Sequence, residues 1–329
     1  MALVLGFGSA LLDQLVHVPE SFVAALPGQK GGMVLVDDAE RRRLLAALPA
    51  TPEIAPGGSA ANTVVGLARL GVHSRLLAKI GSDSAGEAYR GHAAAAGVDT
   101  TSLKRDPELP SGTCLSLITP DGERTMRTFL GASASLSVGE VSAADLRGGT
   151  HLLTEGYMLY NRPLLLHVLR LGRAAGCRIC LDLSSPEVVG ASADLLPALL
   201  DDYVDMVFAN EAEAVAFVGA PDPASALAVL AQHCELAVVK LGAEGALLRR
   251  GDQTVHVPAE KVTVCDTTGA GDLWAAGFLY GCLHGCSLQT AGRMGAAVAA
   301  AVVGVLGASL PTATWTRLSR RLVAMQDED

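Results

Sequence analysis

The run Asp266-Thr-Thr-Gly-Ala-Gly-Asp272, leading into the apolar stretch Leu273–Tyr280, has the residue types needed to handle a phosphoryl group. Gly269 and Gly271 permit backbone angles closed to other residues, so successive N–H groups can converge on one point at a helix N-terminus, where the helix dipole also favours an anion. Asp272 follows where that helix begins. A carboxylate there can orient an attacking alcohol and take its proton. In a loose phosphoryl-transfer transition state, orientation matters more than base strength. Taken alone, Gly-Ala-Gly-Asp serves equally well as a tight turn and helix cap.

A second run, Pro56-Gly-Gly-Ser-Ala-Ala-Asn-Thr63, repeats the design: paired glycines, a capping serine, then a helix through Arg69-Leu70 that stops at Gly71. Asn62 falls in its first turn, and an amide both donates and accepts, as sugar hydroxyls do. Asp13, just past the first apolar strand, can accept hydrogen bonds from two vicinal hydroxyls; the alternative is an ordinary solvated loop aspartate. Asn210-Glu-Ala-Glu213 follows another apolar strand, at the edge where α/β folds place ligands, with helix capping as the competing role.

Together these segments resemble the signatures of the PfkB/ribokinase family of ATP-dependent carbohydrate and nucleoside kinases, over about Leu3 to Gly307. Within it the chain is most similar to the adenosine-kinase-like bacterial branch, through Gly8–Asp13, Lys30–Asp37, Thr119–Met126, Glu155-Gly-Tyr157 and Phe208–Glu213. The resemblance implies Asp272 as catalytic base and Gly269, Ala270 and Gly271 as the anion hole. Asp13, Gly57, Gly58 and Asn62 would grip the sugar, with Glu155 and Arg127 near the substrate. Asn210 and Glu213 would serve Mg2+ and the phosphates through water, and the turn Lys240-Leu-Gly242-Ala-Glu-Gly245, together with Thr268, would lie at the ATP. Asp266 and Thr268 align with residues that in some relatives help hold a monovalent cation such as K+; both could equally only fix the turn. Asp182 stands where many relatives carry asparagine, an awkward negative charge beside phosphates unless it reaches metal-bound water.

The elements needed to position these groups are legible. Leu76–Ile80, Leu152–Thr154, Cys177–Leu183, Met206–Ala209 and Leu236–Lys240 alternate with Ala- and Leu-rich helical lengths, the pattern of a doubly wound α/β sheet. Two stretches break the alternation, 16–37 and 111–130, the latter with an Asp-Gly turn at Thr119–Glu123. The resemblance implies that these form a small β-sheet lid inserted discontinuously into a ribokinase-like domain made of 1–15, 38–110 and 131–329.

The 329 residues, 50% hydrophobic, are enough for a large core, and a net charge of −9 without a long basic run argues against nucleic-acid or anionic-membrane partners. The N-terminal residues read as a strand rather than a signal peptide, and the Ala/Gly-rich run 295–310 is too short to span a bilayer. Seven cysteines in no metal-binding pattern suit buried thiols in a reducing, cytoplasmic setting. The expected function is a kinase for a primary hydroxyl of a ribosyl compound, best met by the 5′-hydroxyl of adenosine, with a free sugar as alternative. An NAD-dependent oxidoreductase, prompted by Gly6-Phe-Gly8, lacks the third glycine of its fingerprint. A non-catalytic nucleoside-binding regulator would not need Asp272. Monomer and homodimer are both open.

Overall fold

In the computed structural model, which describes residues 2–219 and 222–329, the apolar runs pair into one large sheet. Its order is Gln253–Val257, Ala246–Arg250, Leu236–Lys240, Met206–Asn210, Arg178–Asp182, His151–Glu155, Leu3–Phe7, His73–Gly81 and Val98–Asp99, with Leu103–Asp106 also pairing with His73–Gly81. From Leu236–Lys240 onward the pairing is parallel, and only the hairpin at one edge is antiparallel. Because parallel strands are covered on both faces, they read as continuous apolar runs such as Leu236-Ala-Val-Val239, every one of them fully buried.

The helix Ala270–Leu283 is apolar nearly all round and is correspondingly buried from Leu273 to Gly281. Phe278 stacks on Trp274 and meets Phe208 edge-on, and burial of such a ring contributes about 1.5–3 kcal/mol. Helix Leu288–Val302 lies against it so closely that a Cβ on Gly277 would come within 2.6 Å of the Met294 carbonyl. Gly295, at the start of the Ala/Gly-rich run, packs as tightly, 2.8 Å from the Trp274 ring for an added Cβ, and the helix ends at Val302, before the run does.

A second sheet has the order Met33–Leu35, Arg124–Phe129, Gly112–Ile118, Leu11–His17, Glu53–Gly57. The turn Thr119–Glu123 closes its central hairpin, with Gly122 at φ 82°. This sheet begins earlier than the boundary expected from sequence: Leu11–Leu15 is already part of it. It also takes Glu53–Gly57, which alternation alone left in the large domain. Both segments pair antiparallel, Leu11 opposite Gly57, a non-local match that local pattern does not reveal. One face of the sheet buries Val16, Leu115 and Leu117 with Val23 and Leu44, so helices Glu20–Ala24 and Asp38–Ala47 cover its outside. The period of two then turns Leu11, Asp13, Cys114, Arg124, Met126, Thr128, Met33 and Leu35 to the other side. Among the described residues no single helix is long and apolar enough to cross a membrane.

Candidate active site

Glu155, Asp182, Asn210 and Lys240 are each the last residue of neighbouring parallel strands, with Glu155 in register with Asp182 and Asn210 with Lys240. They line the carboxyl edge of the sheet, where such folds bind ligands. The small sheet's inner face stands opposite, and between them lies a cavity of about 720 Å³ that Gly269, Ala270, Gly271 and Asp272 also line.

Gly269 takes φ 71°, ψ 4°, the left-handed conformation, as the N-cap of helix Ala270–Leu283; a Cβ there would lie 2.5 Å from that of Ala308. Its turn is held from behind. The Asp266 carboxylate accepts from Thr268 N–H and Oγ at 2.9 and 2.8 Å and from Gly307 N–H at 2.8 Å. These three bonds fix the turn.

Asp272 is reached by two donors from the helix Ser59–Arg69, which follows the paired glycines: Ser59 Oγ at 2.7 Å and Asn62 Nδ2 at 2.9 Å. Burial raises its pKa, opposed by these bonds and reinforced by the Asp182 charge. Gly58 enters that helix at φ 97°, and a Cβ there would come within 2.1 Å of the Ser9 carbonyl. Gly57 leaves room for Asp13, whose carboxylate would be 2.4 Å from a Cβ at that position. Asp13 is raised to about 7 by burial, with Arg124 pulling the other way.

Glu155 is buried and raised to about 7 by desolvation, although it accepts from Ser9 N–H at 2.8 Å and Ala60 N–H at 3.0 Å. The substrate contact expected of it is thus accompanied by a structural task, anchoring the N-terminus of the helix that carries Ser59 and Asn62. Asn210 and Glu213 form a reciprocal capping box: Glu213 accepts from Asn210 N–H and Nδ2, both at 2.7 Å, and returns its own N–H to Asn210 Oδ1 at 2.9 Å. Burial first, then the Asp182 charge, lifts Glu213 to about 7. Among the described residues no three His, Cys, Asp or Glu converge as a metal cluster. Glu211 is exposed, as expected.

Asp182 is not an uncompensated charge: Lys240 Nζ lies 2.7 Å from its Oδ2, and Ser184 N–H donates to Oδ1 at 3.0 Å. Gly242 lines the cavity, whereas Gly245, at φ 99° against the Val257 carbonyl, shapes the turn outside it. Arg127 points away, its guanidinium donating to the Pro27 and Met126 carbonyls. Arg124, three positions earlier and on the inner face, lines the cavity instead. Strand alternation was the signal that separates the two. Ser59, expected to cap its helix, does not: Gly58 is the N-cap, and the Ser59 hydroxyl donates to Asp272 instead. Tyr157 and Ser184 were also missed, since nothing in their spacing points inward.

The chain matches the pfkB family carbohydrate kinase model over residues 33–315, most of its length. It belongs to the PfkB family. Among the relatives of this PfkB kinase are the aminoimidazole riboside kinase of Salmonella typhimurium, 30% identical over 68% of this chain and 73% of that one, and the ribokinase of Haemophilus influenzae, 29% identical over 79% and 85%. The structure of adenosine kinase from Sinorhizobium meliloti is 32% identical and superposes with a TM-score of 0.88, covering 96% and 98% of the two chains. A probable sugar kinase from Rhizobium etli gives 0.91 at 28% identity, covering 98% of each. As a PfkB kinase the protein is a phosphotransferase with an alcohol acceptor. The fold is the ribokinase-like one, a large mostly parallel sheet with a small second sheet.

Proposed function

We propose that this PfkB kinase phosphorylates the 5′-hydroxyl of a ribonucleoside, adenosine in the first place, using Mg-ATP. The observation that carries this reading is the make-up of one cavity wall: Leu11, Met33, Leu35, Met126 and Leu130 surround Asp13 on the small sheet's side. A free sugar offers hydroxyls in every direction and gains little from such a wall. A purine offers a flat apolar face, to which thioethers in particular adapt. Beside it, Asp13 is placed to accept from two ribose hydroxyls.

The donor side suits an anion carried with a cation. Five carboxylates line the cavity, Asp13, Glu155, Asp182, Glu213 and Asp272, against two cations, Arg124 and Lys240. A bare triphosphate would be repelled, so Asn210 and Glu213 would hold a hydrated magnesium ion, which would supply charge neutralisation for the phosphates. The N–H groups of Gly269 and Gly271 would receive the transferring phosphoryl oxygens, Ala270 N–H being engaged by the Thr267 carbonyl at 3.2 Å, and Asp272, steadied by Ser59 and Asn62, would orient the acceptor hydroxyl and take its proton. The inner face of the small sheet would keep water from competing for the phosphoryl group.

The reading is tested by ADP release against adenosine, other ribonucleosides, ribose and fructose, with the product's phosphate located by NMR. Preference for adenosine with 5′-phosphate as product is expected. Turnover confined to free sugars would replace it with the sugar-kinase alternative. As a test of Asp13, 2′-deoxyadenosine should bind worse than adenosine in the parent but lose much less further affinity in Asp13→Ala, because groups in contact give non-additive losses.

A further inference from the structure

We infer that Lys240 contacts the transferring phosphoryl group directly, with Asp182 as the residue that positions it. Lys240 ends its strand with Nζ 2.7 Å from Asp182 Oδ2 and 3.1 Å from the point where a Cβ on Gly271 would stand. The ammonium therefore sits against the glycine that forms the phosphate turn. Gly271 is helical, without the unusual backbone angle expected of it, and what its missing side chain supplies is room for that ammonium. Of the two cations lining the cavity, Arg124 acts on Asp13 across the small sheet, so Lys240 alone serves the phosphate side.

Its surroundings argue for a ligand and against a purely structural pair. A buried ion pair recovers its desolvation cost only with good geometry and further partners, and here the excess is of negative charge, from Glu213 and Asp272 as well as Asp182. One ammonium facing that many carboxylates also faces an anion hole, a place where the incoming negative charge arrives with its own counter-ion. Asp182 is itself fixed by the Ser184 N–H, and Ser184 takes φ 67°, so the lysine is aimed by a held carboxylate. This also gives a physical role to an aspartate beside the phosphates: it orients the cation that meets them.

The step is the ordinary transfer. The bond from the γ-phosphorus to the bridging oxygen breaks, its electron pair staying on ADP, while the bond from the acceptor oxygen to phosphorus forms and the hydroxyl proton passes to Asp272. Lys240 stabilises the charge on the equatorial phosphoryl oxygens, which is greatest in its effect midway.

This inference rests on reading the Gly269–Asp272 turn as the phosphoryl site. The test compares Lys240→Met, Asp182→Asn and the double variant for kcat, KM of each substrate, Mg-ADP affinity, and trapping of a ternary complex of Mg-ADP, aluminium fluoride and acceptor. Lys240→Met should lower kcat on the order of 10²–10³-fold, in the range for loss of a transition-state donor, leave Mg-ADP affinity within a few-fold and abolish the trapped complex. The double variant removes the carboxylate paired with Lys240 and leaves only Glu213 and Asp272 facing the lost cation, so it carries the test even if Lys240→Met misfolds, and it should stay equally slow. A double variant that regains parent turnover would show that Lys240 only neutralises Asp182 and overturn the inference, as would near-parent turnover in Lys240→Met. Full turnover in Asp272→Asn would instead sink the reading of the turn.

Discussion

Asn62 Nδ2 lies 2.9 Å from Asp272 Oδ2, joining the first turns of two helices that are 210 positions apart in the chain. With Ser59 on the other carboxylate oxygen, the helix Ser59–Arg69 holds the Asp272 side chain in place. The two signature runs therefore form one device: the first aims the carboxylate that the second carries.

Replacing Asp272 by Asn would remove the proposed proton acceptor while keeping the side chain's shape. Turnover should fall on the order of 10²–10⁴-fold, the usual range for a lost general base, with Mg-ADP affinity changed by no more than a few-fold. Steady-state kinetics and calorimetric titration check this, and retained turnover would reduce Asp272 to a cap.

Ser59→Ala removes a hydrogen bond to the ionised form of Asp272, so the pKa of that carboxylate rises further. On the proposed mechanism, activity requires the unprotonated Asp272 carboxylate. The acid limb of the kcat/KM profile should consequently move to higher pH, by about 0.5–1 unit, with a smaller loss of turnover at pH 8 than at pH 6. An unshifted acid limb would mean that the serine does not hold the reactive carboxylate.

Asp13 titrates near 7 in the native protein and near 3.8 unfolded, so between those values the native state holds a proton that the unfolded chain has released. Stability then falls as pH rises through that window. Glu155 and Glu213, raised from 4.5 to about 7, act with the same sign. Asp106 and Asp121, held well below the usual carboxylate range by hydrogen bonds to Ser135 and Lys30 respectively, lose their contribution only as pH falls below about 4 and do not offset the trend. The ligand-free protein should have a higher Tm at pH 5 than at pH 8. Asp13→Asn should flatten this slope, stabilising by roughly 1–3 kcal/mol at pH 8 and little at pH 5. Thermal melts across pH that coincide for parent and variant would count against a buried, protonated Asp13.

Glu213→Gln separates capping from metal binding. Only one of the two Asn210 donors keeps an acceptor, so the variant should lose about 1–2 kcal/mol of stability. If Glu213 also serves magnesium, the metal concentration for half-maximal activity should rise several-fold. A lowered Tm with a superimposable magnesium titration would leave the capping box as its whole role.

Much of this site was legible from local chemistry. Gly269 adopts a positive φ, and only glycine enters that region freely, so a glycine-dependent turn at this point could be read without a fold. Leu236–Lys240 and its neighbours announced themselves as buried parallel strands, which in turn placed Glu155, Asp182, Asn210 and Lys240 at one edge. Tertiary structure decided what each polar group spends its bonds on. Glu155 faces the N–H of Ala60, 95 positions away, and Lys240 faces Asp182, 58 positions away. Local spacing holds no record of such pairings, because they are set by strand order and by which side of a strand meets the cavity. The same reason separates Arg124 from Arg127, and sends Leu11 and Glu53–Gly57 into the small sheet: one residue of register turns a side chain to the opposite face, and only the folded pairing fixes that register.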